Sequence, residues 1–282
     1  MRQILIPTDF SENAMNAIKY ALELFKYERS EFYFMHAYED EVYNDKALST
    51  RDTFEAVLRV VSKKSQKNLE DILKIVKEIS PNPRHNYNII SAYNSLVDEA
   101  DIIVDGKNID IIVMGTRGET NDKKLTFGSH TLQVLKYVQC PVLSIPENFK
   151  YAQPKHILFP TNYLIPYKRR DLKLLCEMAI PFRAKIEMLY VTNCDKLSMR
   201  QEDNMQFIKD ALCNNDASFN IVNNKNFIEA INNYITDNNI DMLVMVNTRH
   251  SYLENILFQS AIDILSLNIQ IPLLALQNTR RD

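Results

Sequence analysis

The chain has 282 residues, of which 46% are hydrophobic and 24% are charged, and its net charge is −3. This balance is typical of a globular protein and excludes the strongly basic surface that binds nucleic acid or an anionic membrane. No apolar run reaches the length of about 18 residues that a membrane-spanning helix needs, and the N-terminal run is too short for a signal peptide. The four scattered cysteines predict reduced thiols in a cytoplasmic protein.

Strands and helices are predicted to alternate along the first half of the chain. Strands are expected at 3–8, 31–38, 84–91, 109–114 and 140–145, and helices at 12–27, 51–79, 95–105 and 131–138. Ser11 is the expected N-cap of the first helix. The polar segment 39–50 is predicted to be an exposed, mobile loop or a lid.

The second half repeats the first. The sequence I-L-I-P-T-D-F from Ile4 returns as I-L-F-P-T-N-Y from Ile157, and the runs 109–114 and 140–145 return at 240–245 and 271–276. Further strands are therefore expected at 155–161, 184–191, 217–223, 241–246 and 272–276, with helices at 172–182, 199–213, 227–237 and 253–267. This order predicts two tandem α/β domains, 1–147 and 154–282, each a five-stranded parallel sheet with helices on both faces.

A ligand crevice is expected where the strand order reverses. In a sheet of order 3-2-1-4-5, the carboxyl ends of strands one and four flank that point. Asp9 follows strand one and Gly115 ends strand four, so both should face the crevice. Asp9 can accept hydrogen bonds from vicinal hydroxyls such as those of ribose. It can equally be a turn or capping residue beside Ser11.

Glycine is concentrated next to this crevice. The chain has only four glycines, and three of them, Gly115, Gly118 and Gly128, fall within 19 residues. The order strand, glycine turn, polar loop, glycine–serine and helix predicts an anion site, because a helix N-terminus offers free N–H groups and a positive dipole end. Ser129 and Thr131 add hydroxyl donors. The alternative is that the glycines are ordinary turn residues and Ser129 is only an N-cap.

These motifs together resemble the universal stress protein family in its tandem form. The shared features are P-T-D-F-S from Pro7 and G-x-x-G-(nine residues)-G-S from Gly115. The resemblance implies an adenine-nucleotide hydrolase-like fold and ATP with Mg²⁺ or Mn²⁺ bound in the first half. It also implies that the two domains pair through their last strands. Whether the chain also forms a homodimer is left open. No catalytic residue and no protein metal ligand are predicted. By position, the implied ATP-binding residues are Pro7, Thr8, Asp9, Ala37, Met114, Gly115, Arg117, Gly118, Gly128, Ser129 and Thr131.

The second half departs from this pattern because it contains no glycine, and Asn162 stands in the place of Asp9. Asn247, His250 and Gln259 lie about where the glycines would be, and a Cβ there would crowd a phosphate. We therefore expect this half not to bind ATP and to act as a pairing or regulatory partner. The leading hypothesis for the chain is an ATP-binding stress-response or signalling module. The alternatives are a slow ATPase or nucleotidyl-transfer enzyme, and an adaptor that binds no nucleotide.

Overall fold

The computed structural model of the chain describes residues 1–45, 51–116, 127–164, 167–192, 196–247, 253 and 270–277. The described residues up to Cys140 form one compact unit, and those from Pro141 onward form a second. This division falls after the first residue of the fifth predicted strand, 140–145, whereas the repeat places the boundary within 146–154. The domain limits 1–147 and 154–282 stay a prediction.

The first unit contains a parallel sheet whose strands are ordered β3-β2-β1-β4. Ile4, Leu5 and Ile6 are completely buried. Because successive side chains of a strand point to opposite faces, both faces of the sheet are covered at β1. The elements are β1 (Arg2–Pro7), α1 (Glu12–Leu24), β2 (Ser30–Ala37), α2 (Glu39–Tyr43), α3 (Arg51–Ile79), β3 (His85–Ala92), α4 (Leu96–Lys107), β4 (Ile111–Gly115) and α5 (Ser129–Tyr137).

The second unit contains six strands in the order β8-β7-β6-β9-β10-β5, and only β5 runs antiparallel to its neighbour. The elements are β5 (Val142–Ile145), β6 (His156–Pro160), α6 (Arg169–Ala179), a 3₁₀ turn (Ile180–Phe182), β7 (Lys185–Thr192), α7 (Met199–Ala211), β8 (Ala217–Asn223), α8 (Phe227–Asp237), β9 (Met242–Asn247) and β10 (Leu273–Gln277). The predicted α/β fold with mostly parallel strands is confirmed. The helix predicted at 253–267 lies outside the described residues, except for Leu253.

Side chains define the ends of the helices next to β1 and β4. Ser11 Oγ accepts the N–H of Ala14 at 3.2 Å, which makes Ser11 the N-cap of α1. Ser95 Oγ accepts the N–H of Asp98 at 3.2 Å at the start of α4, and Asn108, with φ of 52°, ends that helix in the left-handed region. Each of these helices therefore begins at a side-chain cap within a short turn that follows a strand.

The segment after β2 differs from the prediction. Residues 39–43 form the short helix α2, and not an exposed loop. The helix is held by Val42, which is completely buried against Tyr38 and Val61, with Phe54 and Val57 packed beside them. One apolar residue among acidic neighbours was too weak a signal to predict a helix. Residues 46–50 of the predicted loop lie outside the described residues.

Candidate functional site

A crevice of about 130 Å³ opens at the carboxyl ends of β1, β2 and β4, in the first unit. This is the position at which strand order reverses in open α/β sheets and at which such folds bind ligands. The apolar side chains of Ala14, Met35 and Leu96 form part of its lining. Seven of the predicted site residues also line it: Pro7, Thr8, Asp9, Ala37, Met114, Gly115 and Thr131.

The turn after β1 holds the carboxylate of Asp9 in place. Asp9 Oδ1 accepts the N–H of Ser11 at 3.1 Å and the hydroxyl of Ser11 at 2.6 Å. Thr8 Oγ1 accepts the N–H of Phe10 at 3.1 Å, and Phe10 has a φ of 65°. A bulky residue in the left-handed region is uncommon and marks a locally constrained turn. Asp9 is therefore a turn residue, as one alternative held, and it also faces the crevice.

The opposite side of the crevice is formed by the end of β4 and the start of α5. Gly128 donates its N–H to the carbonyl of Thr116 at 2.7 Å, and α5 begins at the next residue. Thr131 is buried, and its hydroxyl donates to the carbonyl of Gly115 at 2.9 Å. That hydrogen bond fixes the first turn of α5 against β4. The Thr131 hydroxyl was expected to donate to a phosphate, and it donates to the Gly115 carbonyl instead.

The remaining predicted residues of this region divide into two groups. Gly128 and Ser129 lie at the start of α5 and are not in the crevice lining. Arg117 and Gly118 lie outside the described residues. Gly128 has φ of −70°, and no described glycine has a positive φ. A left-handed backbone is therefore not the reason for glycine at the described positions.

Four charged or titratable lining residues were not predicted. They are His36, Asp40, Glu41 and His130. Burial lowers the pKa of His36 below its ordinary value of 6.5, although the nearby carboxylates of Glu41 and Asp9 act in the opposite direction. The exposed His130 Nε2 lies 3.4 Å from Asp40 Oδ2. Asp40 and Glu41 were missed because they lie on α2, which was predicted to be a loop. His36 was missed because it lies in a strand that is buried along nearly its whole length.

The turn after β6 in the second unit has nearly the same hydrogen bonds as the turn after β1. Thr161 Oγ1 accepts the N–H of Tyr163, Asn162 Oδ1 accepts the N–H of Leu164, both at 2.9 Å, and Tyr163 has a φ of 55°. The asparagine amide thus replaces the carboxylate without changing the turn.

The polar groups of this second turn are bonded by side chains of its own unit. Tyr167 Oη forms a hydrogen bond with Thr161 Oγ1. Gln201 Nε2 donates to the carbonyl of Asn162 at 2.8 Å and to Tyr190 Oη at 3.0 Å. A ligand here would have to displace these contacts.

The donor set of the first crevice suits a hard cation that arrives with a phosphate ligand. Asp9, Asp40 and Glu41 bring carboxylate oxygens to its lining, and Mg²⁺ prefers such ligands together with phosphate oxygens and water. In the described part of the chain, no three histidine, cysteine or acidic side chains are grouped closely enough to hold a metal by themselves. Among the same residues, no helix is long and apolar enough to span a membrane.

Comparisons with known proteins agree with this architecture. Residues 1–146 match the model of the universal stress protein family. Two universal stress proteins of Methanocaldococcus jannaschii, MJ0531 and MJ0577, are each 26% identical to this chain over 51% of its length, covering 81% and 94% of their own. The crystal structure of a universal stress protein from Archaeoglobus fulgidus superposes with a TM-score of 0.68 and 15% identity, covering 99% of this chain and 97% of that one. This last similarity concerns the fold.

Proposed function

The chain belongs to the universal stress protein family, and we propose that its first half binds ATP as a nucleotide-dependent stress-response or signalling module. The observation that supports this most is the pairing of two features across one crevice. The turn-held carboxylate of Asp9 lies on one side, and the first turn of α5 lies on the other. A carboxylate suits vicinal hydroxyls, and a helix N-terminus suits phosphate.

In this proposal, different residues bind the ribose, the adenine and the phosphates of ATP. Asp9 accepts hydrogen bonds from the ribose, and the backbone of Ala37 meets the adenine, which packs among Met35, Met114 and Leu96. Gly115, Gly128, Ser129 and Thr131 bring the start of α5 to the phosphates, and Arg117 and Gly118 complete the phosphate loop. Mg²⁺ or Mn²⁺ would neutralise phosphate charge beside the crevice carboxylates.

The second half does not bind ATP in this proposal. Asn162 keeps the turn and lacks the negative charge, and Tyr167 and Gln201 already bond the groups of that turn. Its role is to pair with the first half through the last strands of the two repeats. The support for this is that β5, the last strand of the first repeat, pairs antiparallel with β10 within the second unit, with Leu274 opposite Leu143. Sedimentation of the full chain with and without ATP tests whether a homodimer also forms.

The experiment that tests the proposal uses the natural difference between the two halves. We would titrate Mg-ATP into the wild type, Asp9→Asn and the matched control Asn162→Asp by calorimetry. Asn162 demonstrates that asparagine supports this turn, so Asp9→Asn removes the charge and leaves the fold. Because hydrogen bonds to charged groups are about 1 kcal/mol stronger than neutral ones, Asp9→Asn should bind about fivefold more weakly. Asn162→Asp should match the wild type.

Each alternative gives a distinct result. A wild type that binds no ATP contradicts the nucleotide hypothesis and favours the adaptor. Equal affinity in Asp9→Asn contradicts the role of Asp9. A turnover assay on the same samples separates a binding module from the alternative of a slow ATPase or nucleotidyl-transfer enzyme, since fast, substrate-dependent release of product would favour the enzyme.

A further inference from the structure

His36 is a buried side chain that contacts two parts of the crevice lining, the Asp9 turn and α2. It is the penultimate residue of β2 and is 4% exposed. Its ring lies 4.5 Å, centroid to centroid, from the ring of Phe10, the left-handed residue that follows Asp9. Its Nε2 lies 2.9 Å from Glu41 Oε1 on α2. One imidazole therefore touches the Asp9 turn and α2 together.

The other ring nitrogen anchors His36 to the body of the unit. His36 Nδ1 lies 2.9 Å from Ser65 Oγ on α3, and Ser65 Oγ lies 2.7 Å from Ser91 Oγ on β3. Since a carboxylate only accepts, a neutral His36 donates from Nε2 to Glu41 and accepts at Nδ1 from Ser65. Ser91 then donates to Ser65. The hydrogen bonds thus run in one direction, from Ser91 through Ser65 and His36 to Glu41. They fix the rotamer and the tautomer of the His36 ring.

Burial favours this neutral form of His36 and outweighs the nearby carboxylates. The groups that act on it are Glu41 from α2, Asp9 from the turn and Lys64 from α3. Burial lowers its pKa more strongly than the two carboxylates raise it, and Lys64 lowers it further. The ring is therefore uncharged at neutral pH and acts through hydrogen bonds and packing.

The second unit contains the same arrangement with different side chains. Leu189 of β7 pairs with Pro160 as Met35 pairs with Pro7, so Tyr190 occupies the position of His36. The ring of Tyr190 lies 5.5 Å from that of Tyr163, the left-handed residue of the second turn. Its hydroxyl accepts from Gln201 on α7 at 3.0 Å. An aromatic side chain that connects the turn to the following helix thus occurs twice in this chain.

We propose that His36 is the positioning residue of the nucleotide crevice, holding the Asp9 turn and α2 at the separation that the ligand requires. This inference rests on the proposed function of the first half, and it adds a residue of β2 to those that build the crevice. His36 acts through Phe10 on the carboxylate of Asp9 and through Glu41 on the acidic wall. In the second unit Tyr190 supports the turn, and α2 has no counterpart among the described elements between β7 and α7.

A first experiment measures how readily the Asp9 turn and α2 open in the absence of nucleotide. Hydrogen exchange would be compared for the wild type, His36→Phe and the matched control Tyr190→Phe. His36→Phe keeps a ring against Phe10 and removes both hydrogen bonds. We expect exchange about tenfold faster in α2 and in the amide of Ser11, and no change there in Tyr190→Phe. Unchanged exchange in both segments of His36→Phe would overturn the proposal, whether or not ATP binds.

A second experiment measures the consequence for the ligand. Mg-ATP would be titrated into the same proteins and into His36→Gln, whose amide can still donate to Glu41. At a temperature where all variants are folded, we expect about tenfold weaker binding for His36→Phe and a loss below about threefold for His36→Gln. A His36→Phe protein that melts earlier and binds ATP like the wild type would make His36 purely structural. A wild type that does not bind would contradict the proposed function itself, and the exchange result would still stand.

Discussion

The hydrogen bond from Thr131 to Gly115 gives a direct prediction about how the crevice is built. The Thr131 side chain is buried, with 2% of the residue exposed, and its hydroxyl donates to the Gly115 carbonyl at 2.9 Å. Thr131→Val keeps the shape of the side chain and leaves that carbonyl without this donor. An unsatisfied buried polar group costs about 1–3 kcal/mol, so the free energy of unfolding should fall by that amount. For a unit of this size the melting temperature should fall by roughly 3–10 °C.

The assay is thermal and urea denaturation followed by far-ultraviolet circular dichroism, in the absence of nucleotide. Thr131→Ser, which retains the hydroxyl and loses only a buried methyl group, is the control and should lose about 0.8 kcal/mol or less. If Thr131→Val is as stable as the wild type and loses only ATP affinity, the hydroxyl serves a ligand and our reading of this contact is wrong. The comparison therefore separates a positioning role from the direct phosphate contact that the motif implied.

Three further predictions concern stability. Gly106 lies inside α4 with nothing within 4 Å of an added Cβ, so Gly106→Ala should raise the unfolding free energy by about 0.5–1 kcal/mol; no gain in urea denaturation would contradict this. Burial raises the pKa of Asp171 to about 6, so the folded state binds its proton more tightly, and Asp171→Asn should stabilise by about 1–3 kcal/mol near pH 8 and by little near pH 4. A gain that does not depend on pH would refute that cause. Burial lowers the pKa of His85 below 6.5, so its contribution is present above that pH and is lost as the pH falls through the lowered value; His85→Gln should flatten the acid-side loss of stability.

The repeat made most of the fold predictable. The return of I-L-I-P-T-D-F as I-L-F-P-T-N-Y identifies the same strand and turn twice, and the structure gives Phe10 and Tyr163 the same left-handed conformation. Apolar runs of strand length and segments of helical spacing then predicted how strands and helices alternate along the chain. These signals are local and strong because parallel strands covered on both faces must be apolar throughout.

The features that sequence reasoning missed depend on contacts between distant residues. α2 exists because Val42 packs on α3, and its acidic residues alone read as a loop. His36 resembles any core residue of β2 until Ser65, 29 residues away, and Glu41 are placed beside it. Thr131 was assigned to a phosphate, whereas a carbonyl 16 residues earlier accepts its hydrogen bond. The spacing of Asp9 and the glycines predicted where the crevice lies. The residues that contact Val42, His36 and Thr131 could be identified only from the fold.

The central claim is that one half of this tandem chain binds ATP and the other does not. Native mass spectrometry of the full chain with saturating Mg-ATP tests this most directly, because it counts bound nucleotides in each molecule. We predict one ATP per chain, and a clearly lower occupancy in Asp9→Asn at ATP concentrations that barely saturate the wild type. Two bound nucleotides would show that the second half retains a site, and none would contradict the assignment of the first crevice.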